Sequence, residues 1–364
     1  MGKFFEVVMP APKDLQIPAV AQTLCADILD NLRMEPQNLP KGGTFFVKKI
    51  GEYSYVYHRI VYSGMEKDTV VGVETEELAD LVKQVSARRK HVSLLASSAS
   101  AAKATECDRK SWIILKRLYE AGFFDSGGVV VGTNAFLAMQ NRLGVRWPEE
   151  PAGFSVCQTM DIDVTWPNQH KVVVAGSLSK DFNMLLKDLE LVPQFSTAAK
   201  NGTSVYTDSS GYSFEILTPE VGKPGEKIVP IPQIGAHAQK LRFLDYLIKD
   251  PVDTIVLRGA SAIKIMVPSP ERFAVHKIAL SDMRSNPHKK QKDIDQASVL
   301  LSVLISSEPE DLAVVFKEFQ NRGPSWKKHL LAGFVKLPQH IQSDLRAITG
   351  LGNLSIQNKP RTER

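Results

Sequence analysis

Two short segments constrain the fold of this chain more than anything else in its sequence. In the first, an apolar run over 129–131 ends at Gly132-Thr133 and a helix-forming stretch follows. In the second, Asp161 and Asp163 alternate with apolar residues, so a strand here turns both carboxylates to one face. Two carboxylates can coordinate one Mg²⁺ ion, which also coordinates the phosphates of a substrate. A Gly-Thr turn at a helix start offers free backbone N–H groups to phosphate. Together the segments predict a magnesium-nucleotide site.

These segments resemble the signature of the nucleotidyltransferase superfamily, a Gly-Ser or Gly-Thr turn followed by an Asp-x-Asp strand. Two further segments strengthen the resemblance, which covers roughly residues 110–335. In the strand-like segment 211–219, Glu215 stands where the superfamily carries a third carboxylate, more often Asp. Lys277, Arg284 and Asp293 are similar to the Lys, Arg and Lys/Arg-Asp pattern of abortive-infection-type nucleotidyltransferase toxins and their uncharacterised bacterial relatives.

The resemblance implies an enzyme that moves a nucleoside monophosphate from an NTP to a hydroxyl group, with Mg²⁺ or Mn²⁺ as cofactor. It implies that Asp161, Asp163 and Glu215 hold the metal ions. Glu215 would lie beside the acceptor, where it could take the hydroxyl proton. Gly132 lets the backbone approach the phosphates, and Thr133 would contact them through its hydroxyl and its N–H.

The resemblance also assigns roles in the second half of the chain. Lys277 would contact the triphosphate as a point charge that stabilises the departing pyrophosphate. Asp293, with Arg284, would orient Lys277 or contact the nucleotide. The residues by themselves leave other interpretations open: Lys277 as a cation on a helix surface, Arg284 and Asp293 as an ordinary ion pair, and Glu215 as an exposed strand residue.

The acceptor stays open between RNA, including tRNA, a protein and a small molecule, and a toxin-like version implies an antitoxin as partner. The alternative function is a catalytically silent nucleic-acid-binding or regulatory protein on a nucleotidyltransferase scaffold. Glu215 keeps the negative charge, which favours activity. A phosphate-binding fold with hydrolase or kinase chemistry is disfavoured because no Walker lysine follows Gly132-Thr133.

Composition places the chain among ordinary globular proteins. Its 364 residues predict two or three domains, and 43% hydrophobic with 23% charged residues suffices for a full core. No apolar run has the length of a bilayer span, and the start Met-Gly-Lys-Phe-Phe has no extended apolar region, so we expect a cytoplasmic protein without a membrane partner. The three cysteines are widely spaced without a CxxC pair, which supports neither a disulfide framework nor a zinc site.

The order of apolar patterns predicts an α+β fold: a small mixed-sheet nucleotidyltransferase core with helices, a C-terminal helical domain and a small N-terminal α/β unit. The predicted domains are an N-terminal helix with a β-meander (1–105), the core (106–235) and a mostly helical domain (236–364). In the first domain we expect a helix over 17–34, a three-stranded meander over 44–73 and a basic helix over 76–93. The small-residue stretch 94–102 predicts a linker or a weak helix at the domain boundary.

The formal net charge of +5 permits a polyanionic partner without demanding one. Local basic clusters, such as 88–91, are expected to lie on solvated faces. Tyr53, Tyr55 and Tyr57 share one face of the meander and could stack on bases beside Lys48, although tyrosines at such positions more often pack on a covering helix.

Overall fold

In the computed structural model the chain is described over residues 12–62, 64–148, 157, 159–166, 182–194, 202–220 and 225–351. These residues form two compact units. The larger unit consists of Leu15–Trp147 and Cys157–Pro268, and the smaller is built mainly from 269–351. The predicted α+β class is confirmed. Within the described ranges, no helix is both long and apolar enough to cross a membrane.

The first part of the larger unit is a three-stranded antiparallel sheet with one helix before it and one helix after it in the sequence. Their bounds are α1 Ala19–Arg33, β1 Thr44–Ile50, β2 Tyr53–Tyr62, β3 Met65–Val73 and α2 Glu76–Ala101. The predicted first helix and meander are confirmed. One stripe of α1 is buried at helical spacing, from Ala21 through Cys25 and Ile28 to Leu32.

Helix α2 continues through the small-residue stretch 94–102, so the linker interpretation of that stretch is wrong. Ala96 and Ala99 are fully buried there, in a core that also contains Ile28 of α1 and the apolar residue Leu257. Small side chains let the backbone of α2 approach its neighbours closely, which is why residues typical of a linker lie inside a helix.

The meander has one buried and one exposed face. Val56 and His58 of β2 are buried, whereas Tyr53 on the opposite face is 62% exposed. Tyr57 stacks on Phe46 of the neighbouring strand, with 5.5 Å between the ring centroids. Packing on a covering helix is therefore the wrong interpretation for Tyr53.

The second part of the larger unit is a mixed sheet with helices packed on it. Its elements are α3 Arg109–Glu120, β4 Val129–Val131, α4 Gly132–Leu143, β5 Asp161–Thr165, α5 Phe182–Asp188, β6 Val192–Pro193, β7 Val205–Thr207, β8 Ser213–Pro219, β9 Ile228–Ile231, β10 Ala236–Leu241 and α6 Leu244–Leu247. The strand order is β4-β5-β8-β10-β9, and β7 pairs with β6 and β8. The sequence predicts a hairpin of 204–207 with 212–217, and the pairing of β7 with β8 confirms it. It also predicts that the helix after Gly132-Thr133 ends at Gly144, which lies in the left-handed region and does end α4. A further strand that the sequence predicts over 171–175 lies outside the described residues.

A two-stranded hairpin completes the larger unit, formed by β11 Val252–Arg258 and β12 Ser261–Val267. Residues 236–267, which the sequence placed at the start of a mostly helical domain, thus fold mainly as strands of the larger unit. They are hard to recognise because β10 mixes Ala, His, Gln and Lys without a clear apolar alternation. The three-part division at residues 105 and 235 stays a prediction, and both boundaries fall inside the larger unit.

The described part of the smaller unit is helical from residue 270 onward. Its helices are α7 Pro270–Met283, α8 Pro287–Ser307, α9 Pro309–Asn321, α10 Pro324–Phe334 and α11 Gln339–Thr349. Apolar periodicity in the sequence predicts helices over 272–284, 292–306, 309–321, 326–334 and 341–349, and all five are confirmed. Ser269 caps α7 by accepting a hydrogen bond from the Arg272 backbone N–H, and Pro270 occupies the first turn, where no hydrogen bond is lost. A Cβ at Gly333 would overlap the Ile278 carbonyl, so this glycine permits the close approach of α10 to α7.

One arginine of α2 organises the segment that joins α1 to β1. The Arg89 Nε donates to Glu35 Oε1 at 2.9 Å, and Nη2 donates to the Pro40 carbonyl at 2.7 Å. Its Nη1 donates to the Gly42 carbonyl, and the guanidinium lies 5.0 Å from the centroid of the Phe45 ring. The expectation of a solvated cluster over 88–91 is therefore wrong for Arg89, because its fork of donors is used inside the fold.

Replacing Arg89 by Met should lower the free energy of unfolding by about 2–4 kcal/mol, since Glu35 is buried and would lose its closest cation. The matched control is Arg88→Met, which removes a hydrogen bond to the Met34 carbonyl and should cost less than about 1 kcal/mol. Urea unfolding of both variants measures the difference. Equal losses would contradict the special role of Arg89.

Candidate functional site

The register of the central sheet brings the predicted carboxylates to one face. Strands β5 and β8 run parallel, with Asp163 opposite Glu215. Asp161 lies two residues before Asp163 and therefore shares its face. Ile162 and Val164 alternate with them and are 0% exposed on the other face. Asp161, Asp163 and Glu215 thus lie on one face of two neighbouring strands.

The start of α4 lies directly against one of these carboxylates. Gly132 has φ +66°, and a Cβ built on it would overlap Asp163 Oδ2 and lie 3.2 Å from its Cγ. Glycine is thus required twice, for the backbone conformation and for the space. This contact brings the Gly-Thr turn and the Asp-x-Asp strand side by side, although they are well separated in the sequence.

Two residues that the sequence analysis missed hold Asp161 in place. Asn134 Nδ2, in the first turn of α4, donates to the Asp161 carbonyl at 2.7 Å. Thr159 Oγ1 donates to the same carbonyl at 3.3 Å and also bonds to Asp161 Oδ1. The available signal was local: a polar residue directly after the Gly-Thr turn, and a hydroxyl two residues before the first carboxylate.

A buried hydrogen bond ties α3 to the start of β8, the strand that carries Glu215. The hydroxyl groups of Ser111 and Tyr212 lie 2.7 Å apart, and both residues are buried. Burial raises the pKa of the Tyr212 phenol, which therefore stays protonated at neutral pH. Asp108 caps α3 through Ser111 and Lys110 backbone N–H groups, so the helix start is held at this position.

The carboxylate oxygens on this face are of the chemical kind that binds a divalent cation. Within the described residues, no group of three or more His, Cys, Asp or Glu side chains could hold a metal ion as they stand. Magnesium is usually held by one or two carboxylates together with substrate phosphates, not by a cage made of protein alone. Asp161 and Asp163, beside the backbone of Gly132, carry oxygen ligands of that kind.

The remaining predicted residues lie together in the smaller unit. Lys277 Nζ donates to Asp293 Oδ1 at 2.6 Å, and Arg284 Nε donates to Asp293 Oδ2 at 3.0 Å. Lys277 and Asp293 are buried, so Lys277 is not a cation on a helix surface. Burial by itself would raise the pKa of Asp293, but Lys277 and Arg284 together hold it below its usual value. Asp293 is therefore a charged partner of both cations.

His276 lies beside this cluster and is held neutral. Burial, together with the positive charge of Lys277, lowers its pKa to about 3. Its Nδ1 atom is buried and has no hydrogen-bond partner among the described residues. The sequence predicts either a packing or a solvent-facing residue at 276, and the buried position of His276 confirms the packing alternative.

One comparison with known proteins identifies the family of this chain. Residues 109–321 match the model of a protein family described as nucleotidyltransferase. A crystal structure of an antigenic nucleotidyltransferase-like protein from Paracoccidioides brasiliensis is 14% identical, covers 61% of this chain and 92% of that chain, and gives a TM-score of 0.30. This likeness is too distant to bear on the fold or the site. No curated protein matches the chain.

Replacing Gly132 by Ala should lower the free energy of unfolding by about 2–3 kcal/mol, because a methyl group is forced both into a left-handed conformation and against Asp163. The control is Gly211→Ala, at φ +80° with nothing within 4 Å of the added Cβ. This control should show only the conformational cost of about 1 kcal/mol. Chemical unfolding compares the two. Equal losses of unfolding free energy in the two variants would mean that the Asp163 side chain moves away from the added methyl group at no cost.

Replacing Lys277 by Met should destabilise the protein by about 3 kcal/mol at neutral pH, since a buried carboxylate loses its nearest cation. Adding Asp293→Asn should restore part of the loss. The pKa of Asp293 is depressed in the folded protein, so its contribution is present above the unfolded value of about 4 and lost as the pH falls through the folded pKa. The defect of Lys277→Met should therefore be largest above pH 4 and shrink as the pH falls below that value. Unfolding free energies that simply add in the double variant would contradict the coupling.

Proposed function

Because the chain belongs to the nucleotidyltransferase family whose model matches residues 109–321, we propose that it transfers a nucleoside monophosphate from an NTP to a hydroxyl group of an acceptor. The observation that carries this proposal is the close approach of Gly132 to Asp163. A helix start that attracts phosphate meets a carboxylate that attracts a cation, which is the combination that a metal-bound triphosphate needs.

In this reaction an acceptor hydroxyl oxygen attacks the α-phosphorus in line, and the bond to the bridging oxygen of the departing pyrophosphate breaks. Glu215, beside Asp163 on the neighbouring strand, accepts the hydroxyl proton. Asp161 and Asp163 would hold Mg²⁺ or Mn²⁺, which would screen the charge of the phosphates. Asn134 and Thr159 keep Asp161 in position through their hydrogen bonds.

The phosphates are bound by the start of α4, and the family resemblance adds Lys277 as a cation for them. Gly132 and Thr133 offer backbone N–H groups at the N-terminus of a 12-residue helix. Lys277 contacts the triphosphate as a point charge, in line with the resemblance on which this role rests. Asp293 is a positioning residue that holds the ammonium group of Lys277, and Arg284 holds Asp293.

The acceptor is RNA, a protein or a small molecule, and a toxin-like modifier of tRNA or protein is one version of this activity. The test incubates the protein with each α-³²P-labelled NTP, Mg²⁺ or Mn²⁺, and total RNA or total protein. Label in a macromolecule identifies the acceptor class. The same experiment with γ-³²P-labelled NTP distinguishes nucleotidyl transfer from phosphoryl transfer. Nucleotidyl transfer attaches the α-label to the acceptor and releases the γ-label with pyrophosphate. Transfer of the γ-label would overturn the proposal.

Replacing Asp163 by Asn should reduce transfer by about 10³-fold or more, because the amide loses the negative charge that binds the cation. Asp30→Asn, which changes the same chemical group on the exposed side of α1, should leave transfer unchanged. Initial rates of α-label incorporation measure both variants, and thermal unfolding establishes that both are folded. Near-normal rates for Asp163→Asn would remove this residue from the site.

A further inference from the structure

A cavity of about 550 Å³ in the larger unit is bounded by α3, α4 and β11. Its volume lies in the range of about 300–1,000 Å³ that is usual for small-molecule sites. The described residues that line it include none of the five predicted site residues of this unit, Gly132, Thr133, Asp161, Asp163 and Glu215. The cavity is therefore distinct from the face that carries the candidate carboxylates.

The inner walls of this cavity are apolar. Leu115 of α3 and Ile255 and Leu257 of β11 line it, and each is at most 2% exposed. Leu137 and Ala138 contribute from the side of α4. The hydrophobic effect therefore favours a ligand with an apolar body.

The side-chain amides in the walls already donate hydrogen bonds within the protein. Asn134 Nδ2 donates to the Asp161 carbonyl at 2.7 Å, and Asn141 Nδ2 donates to the Thr105 carbonyl at 2.9 Å. Gln140 Nε2 donates to a carbonyl one turn earlier in α4 at 3.2 Å. No Lys, Arg or His is among the described residues that line the cavity. An anionic ligand would therefore meet no cation in these walls.

Two exposed carboxylates, those of Glu106 and Asp108, line the cavity on the segment before α3. Glu106 Oε1 accepts from the Ser100 hydroxyl and from the Gly259 N–H. Asp108 Oδ1 accepts from two backbone N–H groups in the first turn of α3. All of these donors are uncharged, and neither carboxylate forms an ion pair with a described residue.

Two cations close to this segment are held by other groups. Lys110 Nζ donates to Asp208 Oδ2 at 2.9 Å, and Arg258 Nη1 donates to the Cys107 carbonyl at 2.8 Å. Neither Lys110 nor Arg258 lines the cavity. The charges on the described lining residues are therefore negative.

Thr105 Oγ1 adds an acceptor next to Glu106 in the chain. This oxygen is buried without a hydrogen-bond partner among the described residues, and Thr105 lines the cavity. A protonated amine has three donors and no acceptor, so it matches carboxylate and hydroxyl oxygens. We propose that the cavity binds a small organic cation, a protonated amine on an apolar body, at a site separate from that of the triphosphate. This inference goes beyond the proposed function and does not depend on it.

Calorimetry of the full chain with three probes that share one apolar body tests the proposal: 4-phenylbutylamine, 4-phenylbutanol and 4-phenylbutyrate. At pH 7.5 and low salt the amine should bind about tenfold more tightly than the alcohol, because each exposed ion pair contributes up to about fivefold. The carboxylate should bind most weakly, and about 1 M NaCl should remove most of the preference for the amine. Equal affinities of amine and alcohol at low salt, or no binding of the amine, overturn the proposal.

Substitutions that remove only charge test the two carboxylates. Glu106→Gln and Asp108→Asn keep an oxygen acceptor, and Asn caps a helix as well as Asp does. The double variant should bind the amine and the alcohol equally, with the alcohol affinity of the wild type. Glu52→Gln, at an exposed position between β1 and β2, is the matched control and should behave as the wild type. A preference for the amine that persists in the folded double variant overturns the proposal.

Alkylation of Cys157 locates the ligand without a substitution. Cys157 lines the cavity and is partly exposed, whereas Cys25 is 3% exposed and serves as the internal control. Cys107 also lines the cavity, but burial raises its pKa to about 12, so it reacts slowly. Saturating 4-phenylbutylamine should slow the reaction of Cys157 with iodoacetamide, as measured by mass spectrometry of its peptide. An unchanged rate overturns the location in this cavity.

Competition with nucleotide separates this site from that of the proposed function. Saturating NTP with Mg²⁺ should leave the amine bound, and complete displacement of the amine would overturn the separate site. A protein that shows no nucleotidyl transfer should still bind the amine, so the two proposals fail independently.

Discussion

The candidate site depends on the register between β5 and β8. Asp163 and Glu215 are direct partners on these parallel strands, and Ile162, Val164, Phe214 and Ile216 are 0% exposed on the other face. Burial of these apolar side chains sets the register, because a slip by one residue would place carboxylates in the core and apolar groups in the site. The hydrophobic core thus determines the position of the charges, and the site requires no interaction among the carboxylates to bring them to one face.

Helix α4 packs directly against the strand that carries Asp161 and Asp163. Its first residue packs against Asp163, and its first turn bonds to the Asp161 backbone through Asn134. A shift of α4 along its axis would therefore change the backbone at Gly132 and the position of Asp161 together. Trp147 restrains such a shift, because its indole Nε1 donates to the Phe136 carbonyl at 2.8 Å and its ring stacks on Phe136.

Sequence patterns were reliable where local chemistry decides the structure. The helices α7 to α11 follow apolar periodicity and begin at Ser-Pro, Asn-Pro, Glu-Pro, Gly-Pro and Leu-Pro-Gln signals. Sequence patterns failed where the structure of a segment depends on other segments of the chain that pack against it. The stretch 94–102 is helical because Ala96 and Ala99 pack into a shared core, and β10 exists because β8 and β9 lie on either side of it. Arg89 is indistinguishable in the sequence from its basic neighbours, and only its contacts to Glu35 and the 40–42 carbonyls give it a separate role.

The sequence by itself determined the candidate carboxylates and the glycine turn, because alternation along one strand and the conformational freedom of glycine are local properties. It also determined the α+β class and the helices of the smaller unit. Only the tertiary structure decided that Gly132 contacts Asp163, that Asn134 and Thr159 hold Asp161, and that Lys277 is buried against Asp293. These contacts join residues far apart in the chain, and they form only when strand pairing and helix packing bring distant segments within a few ångströms, which no local pattern encodes.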